Sequence, residues 1–292
     1  MSKYVPDISS RRWVIISQNR VKRPVTANDE KKKDPFAEGN ESQLDDEVFR
    51  IGRGKPGEEG WQVRVVRNKY PITDLHEVVI HSPDPKKDIQ DLPVKHVENI
   101  LRAYRERFNV NKKDGQVFIF CNHGEHAGAS LKHPHSQIVI IPPQINLDSL
   151  TREPLNNVVT EEKNFIAYCP DFSQWPYELW IVPKNKKTLY GDITDVEMAQ
   201  LAALMKSMLN QLYHIYKEGD WKVEFGYNYY ISPRENWYMR IIPRFVHRAG
   251  FELGTGLSVN VVDPSDAAVA YKGVDPEVSK MLEKLKTLSL KV

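Results

Sequence analysis

Residues 77–83, Glu-Val-Val-Ile-His-Ser-Pro, and residues 177–183, Tyr-Glu-Leu-Trp-Ile-Val-Pro, open two copies of one structural unit. Each stretch is a short apolar run that ends at a proline, as strands commonly do. Pro83 and Pro183 lie 100 residues apart, and each is followed by a helical pattern and then by two further strand patterns. The sequence therefore predicts an α+β fold built from a repeated unit.

The two copies contain the same predicted elements in the same order. The first copy has predicted strands at 63–66, 77–81, 117–121 and 137–141, with a helix after Asp91 as N-cap. The second copy has strands at 177–182, 225–231 and 238–242, and a helix that begins at a Thr194 to Glu197 capping box. Residues 13–16 form a strand candidate, and residues 28–60 are interpreted as an exposed connection. We place one domain at 1–150 and a second at 151–292.

Composition excludes several classes of protein. The 292 residues are 40% hydrophobic and 27% charged, which is typical of a globular chain, and the net charge of +2 is too small for a protein that coats nucleic acid. Two cysteines cannot build a disulfide framework or a four-thiolate zinc site, and they favour the reducing cytoplasm. No apolar run is long enough for a membrane span. We expect neither a nucleic-acid nor a membrane partner.

Four histidines are concentrated in 13 residues of the first copy: His123, His126, His133 and His135. The second copy has Asn236-Trp237-Tyr238 where the first has His133-Pro134-His135, so chemistry is predicted in the first copy and scaffold in the second. His133, His135 and Gln137 share one strand face. The small and polar residues just upstream suit a phosphate group, and a neutral imidazole beside it can be a nucleophile or a metal ligand. For a single histidine, a satisfied structural role is the competing interpretation.

Several motifs resemble those of the galactose-1-phosphate uridylyltransferase family, a transferase branch of the histidine-triad superfamily. The resemblance rests on Asn122-x-Gly124, Gly128-Ala-Ser130, His133-Pro134-His135-x-Gln137, Arg20-x-Lys22-Arg23-Pro24 and Asn68-Lys-Tyr-Pro71. Trp180 and Gly254-Thr-Gly256 are more similar to the ADP-glucose phosphorylase subgroup. The resemblance implies two tandem histidine-triad-like units, each an antiparallel sheet with a packed long helix, in one pseudo-symmetric body.

The resemblance also implies an activity, most simply that of a hexose-1-phosphate (galactose-1-phosphate) uridylyltransferase without a cofactor. His135 would attack the α-phosphorus of a nucleoside diphosphate sugar, and the carbonyl of His133 would orient it. Further roles are implied for seven residues: phosphoryl contacts for Gln137, Asn122, Gly128 and Ser130, a nucleotide contact for Asn68, and phosphate contacts across a homodimer interface for Arg20 and Arg23. Sugar 1-phosphate would leave and a second one would accept the nucleotidyl group. The alternatives are an ADP-glucose phosphorylase, a nucleotide-sugar hydrolase and a non-catalytic nucleotide-binding module.

The chain departs from the family at its metal-binding positions. Asp34-Pro35-Phe36-Ala37 stands where many relatives have Cys-Pro-Phe-Cys, and Pro85 stands where a histidine often follows Ser-Pro-Asp. Zinc requires about four ligands, and only His133 remains of that set. The sequence therefore predicts no structural metal. Lys69 replaces the ribose-binding aspartate of the family, which leaves the choice of base and ribose open.

Overall fold

The computed structural model describes residues 2–7, 12–22, 34–44, 46–147 and 150–272. Arg23, one of the predicted phosphate contacts, lies outside these described residues. The described strands are β1 (Lys3–Pro6), β2 (Trp13–Ile16), β3 (Glu47–Gly52), β4 (Trp61–Arg67), β5 (His76–Ile80), β6 (Gln116–His123), β7 (His135–Ile141), β8 (Val158–Glu161), β9 (Phe165–Tyr168), β10 (Leu179–Pro183), β11 (Tyr227–Ile231) and β12 (Met239–Pro243). The described α-helices are α1 (Val94–Asn111), α2 (Asp195–Glu218), α3 (Gly250–Thr255) and α4 (Pro264–Tyr271).

Ten of these strands form one antiparallel sheet in the order β3-β4-β5-β7-β6-β11-β12-β10-β9-β8. The order is symmetric about its centre, since β5, β6 and β7 of the first copy are mirrored by β10, β11 and β12 of the second. The two copies meet where β6 pairs with β11, with Ile119 opposite Ile231 and Asn122 opposite Asn228. Strands β1 and β2 form a separate two-stranded sheet.

The long helices α1 and α2 cover one face of this sheet and contact each other. The buried side of α1 carries Val97, Leu101 and Tyr104 at helical spacing, and it packs on alternate residues of the strands such as Ile119 and Ile138. Residues of opposite parity, including His135 and Gln137, therefore point to the other face. That face carries the candidate site.

The predicted fold class is confirmed, although several element bounds differ. The capping box of α2 is present, with the Glu197 N–H donating to Thr194 Oγ1 (3.3 Å) and the Thr194 N–H to Glu197 Oε2 (2.9 Å). The prediction that Asp91 caps α1 is wrong, because Pro93 is the N-cap. Asp91 instead closes the preceding turn, where its carboxylate accepts from the Asp88 N–H (3.1 Å). A residue before proline disfavours the helical region, so Leu92 separates that turn from the helix.

The exposed connection predicted at 28–60 contains a strand of the main sheet. The sequence prediction missed β3 because this strand contains charged residues. In the fold these charges form ion pairs. The Glu47 carboxylate accepts from the buried Arg64 (2.6 Å) and also pairs with Arg50. β8 and β9 at the opposite edge were not predicted either. The division into domains at 1–150 and 151–292 stays a prediction, although β3 to β7 and β8 to β12 do fall on its two sides.

None of the helices in the described part of the chain combines the length and apolar character required to cross a membrane.

Candidate active site

His135 opens β7 and is almost entirely buried, with 5% of its surface exposed. Its Nδ1 lies 2.8 Å from the backbone oxygen of His133. A carbonyl oxygen only accepts, so Nδ1 must donate, and in the neutral ring the lone pair is then on Nε2. The ring packs edge-on against Phe36, with centroids 5.2 Å apart. The structure thus fixes both the tautomer and the orientation that a histidine nucleophile requires.

Gln137, two residues further along β7, is held by a histidine that the sequence prediction did not assign. His76 Nδ1 accepts from the Ile72 N–H (3.0 Å), so its Nε2 carries the proton and donates to Gln137 Oε1 (3.0 Å). This bond sets the orientation of the Gln137 amide. The amide nitrogen is left as a donor, and within the described residues it has no hydrogen-bond partner.

Asn122 is positioned in the same way by a residue of the second copy. Its Oδ1 accepts from Asn228 Nδ2 (2.8 Å), which also donates to the backbone oxygen of Ala127 (2.9 Å). Asn228 is in turn oriented by Arg244, whose Nη1 donates to Asn228 Oδ1 (3.1 Å). The Asn122 amide nitrogen therefore points away from Asn228 and towards Gly128. The second copy contributes directly to the site geometry.

The loop at 124–130 uses two of its backbone amides for hydrogen bonds within the loop itself. The Gly128 N–H donates to Glu125 O (2.8 Å) and the Ala129 N–H to Gly124 O (3.2 Å), so both amides are already used. Gly128 has φ +83°, and a Cβ added there would meet only Asn122 Nδ2, at 4.0 Å. Gly128 therefore leaves open space beside Asn122. Ser130, at the end of the loop, is half-buried.

Arg20 and Asn68 both contact Tyr70, and Asn68 also approaches His76, the partner of Gln137. Arg20 Nη1 donates to the backbone oxygen of Tyr70 (3.2 Å), and burial lowers the pKa of its guanidinium. Asn68 Oδ1 accepts from the Tyr70 N–H (2.7 Å). Its Nδ2 lies 3.1 Å from His76 Nε2, and since both atoms carry hydrogen this is a close approach of two donors and not a hydrogen bond. The structure thus brings Arg20 and Asn68 together at Tyr70, and His76 lies between Asn68 and Gln137.

The chain is similar in sequence to several known proteins. Residues 73–140 match the family model described as galactose-1-phosphate uridyl transferase, N-terminal domain. ADP-glucose phosphorylase of Arabidopsis thaliana is 28% identical, over 92% of this chain and 92% of the relative. Galactose-1-phosphate uridylyltransferase of Thermotoga maritima is 23% identical, over 91% and 96%. The resemblance to the galactose-1-phosphate uridylyltransferase family is confirmed.

Solved structures of similar proteins share the fold. The crystal structure of the Arabidopsis thaliana ADP-glucose phosphorylase with bound ADP-glucose superposes with a TM-score of 0.71 at 26% identity, covering 94% of this chain and all of that one. A uridylyltransferase structure gives a TM-score of 0.74 at 23% identity, covering 96% and 99%. The prediction that the chain is an enzyme of the nucleotidyltransferase class is confirmed by these relatives.

The residues at the family's zinc positions do not fit a zinc ion in this chain. His133 Nδ1 lies 2.7 Å from Asp34 Oδ2, and its Nε2 lies 2.7 Å from the Ser82 backbone oxygen. Both nitrogens thus face oxygen atoms at hydrogen-bond distance, and of these two contacts only the Asp34 carboxylate could join His133 as a side-chain ligand of a metal. Among the described residues, no group of three or more histidine, cysteine, aspartate or glutamate side chains is arranged to hold a metal ion. The absence of a structural metal stays a prediction.

The Asp34 carboxylate instead links the segment at 34–37 to His133. Burial alone would raise the pKa of this carboxyl, but the hydrogen bonds from the His133 ring and the Phe36 N–H (2.9 Å) outweigh it, so the pKa is lowered overall. Phe36, held next to Asp34, packs on the rings of both His133 and His135. Asp34 and Phe36 therefore form one side of the candidate site around His133 and His135.

We expect Asp34→Asn to lower the free energy of unfolding by about 1–3 kcal/mol at pH 7, because it removes a charge-assisted hydrogen bond to a buried ring. A lowered folded-state pKa stabilises the protein above the unfolded value and is lost as pH falls through the folded value. The difference between wild type and variant should therefore shrink below about pH 4. Urea unfolding at pH 7 and pH 3 measures it. Asp114→Asn, at an exposed position, is the control; an equal difference at both pH values would contradict the assignment.

His76 and Asn228 are the site residues that the sequence prediction missed. Asn228 interrupts β11 between the buried Tyr227 and Tyr229, and asparagine is rare within strands. That polar residue on the open face was the available signal, but its partner Asn122 could be identified only from the pairing of β6 with β11.

Proposed function

We propose that the chain transfers a nucleotidyl group from a nucleoside diphosphate sugar through a covalent intermediate on His135. The observation that carries the proposal is the 2.8 Å bond from His135 Nδ1 to the His133 carbonyl, which leaves the lone pair on Nε2. An uncharged imidazole can approach an anionic phosphate group, and the phosphoramidate that it forms is readily discharged. The family relationship supports the same chemistry.

The first step forms a bond from His135 Nε2 to the α-phosphorus and breaks the bond from that phosphorus to the bridging oxygen. The bridging oxygen leaves with its electron pair as sugar 1-phosphate. Gln137 and Asn122, with their amide nitrogens directed away from His76 and Asn228, would donate to the phosphoryl oxygens as charge builds up in the transition state. Arg20 and Asn68 would contact the nucleotide, and Ser130 would contact the phosphate from the loop.

In the second step an acceptor oxygen attacks the same phosphorus and the bond to His135 breaks. The first candidate acceptor is a hexose 1-phosphate such as galactose 1-phosphate, which makes the enzyme a uridylyltransferase. The second candidate acceptor is inorganic phosphate, and the transferred group is then an adenylyl group. The similarity to the relative named ADP-glucose phosphorylase favours this candidate. Lys69 stands at the family's ribose-binding position, so the preference for uridine or adenosine is to be identified by experiment.

The mass of the intact protein tests both steps. Incubation with UDP-glucose or ADP-glucose should increase the mass by one nucleotidyl group, and the donor that does so identifies the base. Addition of galactose 1-phosphate or inorganic phosphate to the isolated adduct should then remove it, and the faster acceptor distinguishes the two candidates. The proposal is rejected if neither donor modifies the wild-type protein.

The remaining predictions about this chain stay predictions. These are the homodimer with arginines that reach across its interface, the cytoplasmic location and the absence of a nucleic-acid partner.

A further inference from the structure

Two arginines of the second copy stack on one tryptophan close to the site. The guanidinium carbon of Arg244 lies 4.5 Å from the centre of the Trp175 ring, and that of Arg248 lies 4.7 Å from it. Trp175 is buried, Arg244 is half-buried and Arg248 is exposed. Burial, together with the positive charge of Arg248, lowers the pKa of Arg244. The fold therefore holds two like charges together, which costs free energy unless an anion joins them.

Within the described residues, neither arginine forms an ion pair with a carboxylate. Their hydrogen-bond partners are neutral: Asn228 Oδ1 for Arg244 (3.1 Å), and Gln174 Oε1 (2.8 Å) and Ser258 Oγ (3.0 Å) for Arg248. The Nε of Arg244 is buried and has no hydrogen-bond partner in the part of the chain that the structure describes. Nearby Arg240 provides the contrast, because it pairs with both carboxylate oxygens of Glu178, at 2.7 and 2.8 Å. Buried donors are normally satisfied, so the Arg244 and Arg248 pair retains capacity for an anion.

The arginine pair is connected to the proposed phosphate contacts. Arg244 holds Asn228, and Asn228 holds Asn122, which points from β6 on the same face as His135 on β7. A second contact joins the two regions, since the rings of His126 and His247 meet with centroids 5.0 Å apart. The segment that carries Arg248 therefore lies against the loop that carries Gly128 and Ser130.

We infer that Arg244 and Arg248 form an anion subsite for the phosphate group of the substrate that exchanges with the nucleotidyl group. This rests on the proposed function. The entering phosphate is a dianion that must approach an already anionic nucleotidyl group, and paired guanidinium groups offset that repulsion and match phosphate oxygens in geometry. The same subsite would hold the phosphate that leaves with the sugar in the first step. Its ligand is a phosphate monoester or inorganic phosphate.

Equilibrium binding to the unmodified protein tests the subsite without relying on covalent chemistry. Calorimetry with glucose 1-phosphate and, separately, with inorganic phosphate compares wild type, Arg248→Gln and the control Lys112→Gln, which removes one positive charge at the end of α1 on the opposite face. We expect Arg248→Gln to weaken binding about 10-fold or more, and Lys112→Gln to change it less than about 2-fold. Arg248 is exposed, so the variant should fold, and Arg248→Lys should restore part of the affinity.

The outcomes separate this inference from the proposed function. If Arg248→Gln loses affinity for both ligands, the subsite recognises phosphate itself. If it loses affinity for glucose 1-phosphate alone, the subsite recognises a sugar phosphate. Either result supports the inference. Unchanged affinity of Arg248→Gln for both ligands, or no binding of either by wild type, overturns it. Absence of a nucleotidyl adduct, measured separately on wild type, would reject the covalent mechanism even where the arginine-dependent phosphate binding remained.

Discussion

His135→Asn is expected to abolish the nucleotidyl adduct and to slow turnover by ~10⁴-fold or more, the effect of removing a covalent nucleophile. Asparagine can still donate a hydrogen bond to the His133 carbonyl but offers no nucleophilic nitrogen. Its side chain occupies part of the space beneath Phe36, so the fold should be retained. Intact mass after incubation with UDP-glucose and ADP-glucose measures the adduct, and circular dichroism checks the fold.

The matched control for this prediction is His214→Asn, which changes an exposed histidine on α2, on the opposite face of the sheet. Its adduct should form at the wild-type rate. Persistence of the adduct in folded His135→Asn would show that another residue is the nucleophile. Mapping the modified peptide would then identify that residue.

The strands at the centre of the sheet were predictable because they are short, apolar and β-branched. β5, β7 and β10 are buried along their whole length, and each contains a short apolar run, at 78–80, 138–141 and 179–182. The long helices were predictable from their 3.6-residue stripes. Local sequence was sufficient to predict these elements because burial against the sheet requires apolar residues at most of their positions.

The edges of the sheet were not predictable from these rules. β3 contains Glu47 and Arg50, and charged residues argue against a strand until the partner charge of Arg64 is known. β8 has three half-buried residues and one exposed residue, so it lacks a clear apolar pattern. In both places, side chains distant in sequence supply what local propensity lacks.

The candidate site was likewise predictable from the sequence only in part. The motif around His133 and His135 was sufficient to predict His135 as the candidate nucleophile. The groups that orient the neighbouring amides come from elsewhere in the chain, His76 from 61 residues before Gln137 and Asn228 from 106 residues after Asn122. Sequence proximity cannot reveal such pairs. They follow from two strand pairings, β5 with β7 and β6 with β11.

Gln137→Glu tests whether the amide nitrogen of Gln137 acts in the transition state. The His76 Nε2 proton can bond to a carboxylate oxygen as it does to Gln137 Oε1, so the side chain should keep its position. The amide donor becomes an anionic acceptor facing the phosphoryl group, and we expect adduct formation to slow by about 100- to 1,000-fold at neutral pH.

The pH dependence of Gln137→Glu distinguishes a catalytic effect from a structural one. The side chain at this position is 3% exposed, and burial raises the pKa of a carboxyl group. As pH falls, the new carboxyl should take up a proton and donate an O–H in place of the lost amide, so adduct formation should recover partly relative to wild type. Rapid-quench kinetics measure this recovery between about pH 5 and pH 8, the range in which a buried carboxyl group titrates. The control is Gln62→Glu, an exposed position where the accepted bond from Asn99 (2.8 Å) is preserved. If folded Gln137→Glu forms the adduct at the wild-type rate, the phosphoryl oxygens must be held by other donors, with Asn122 the first to examine.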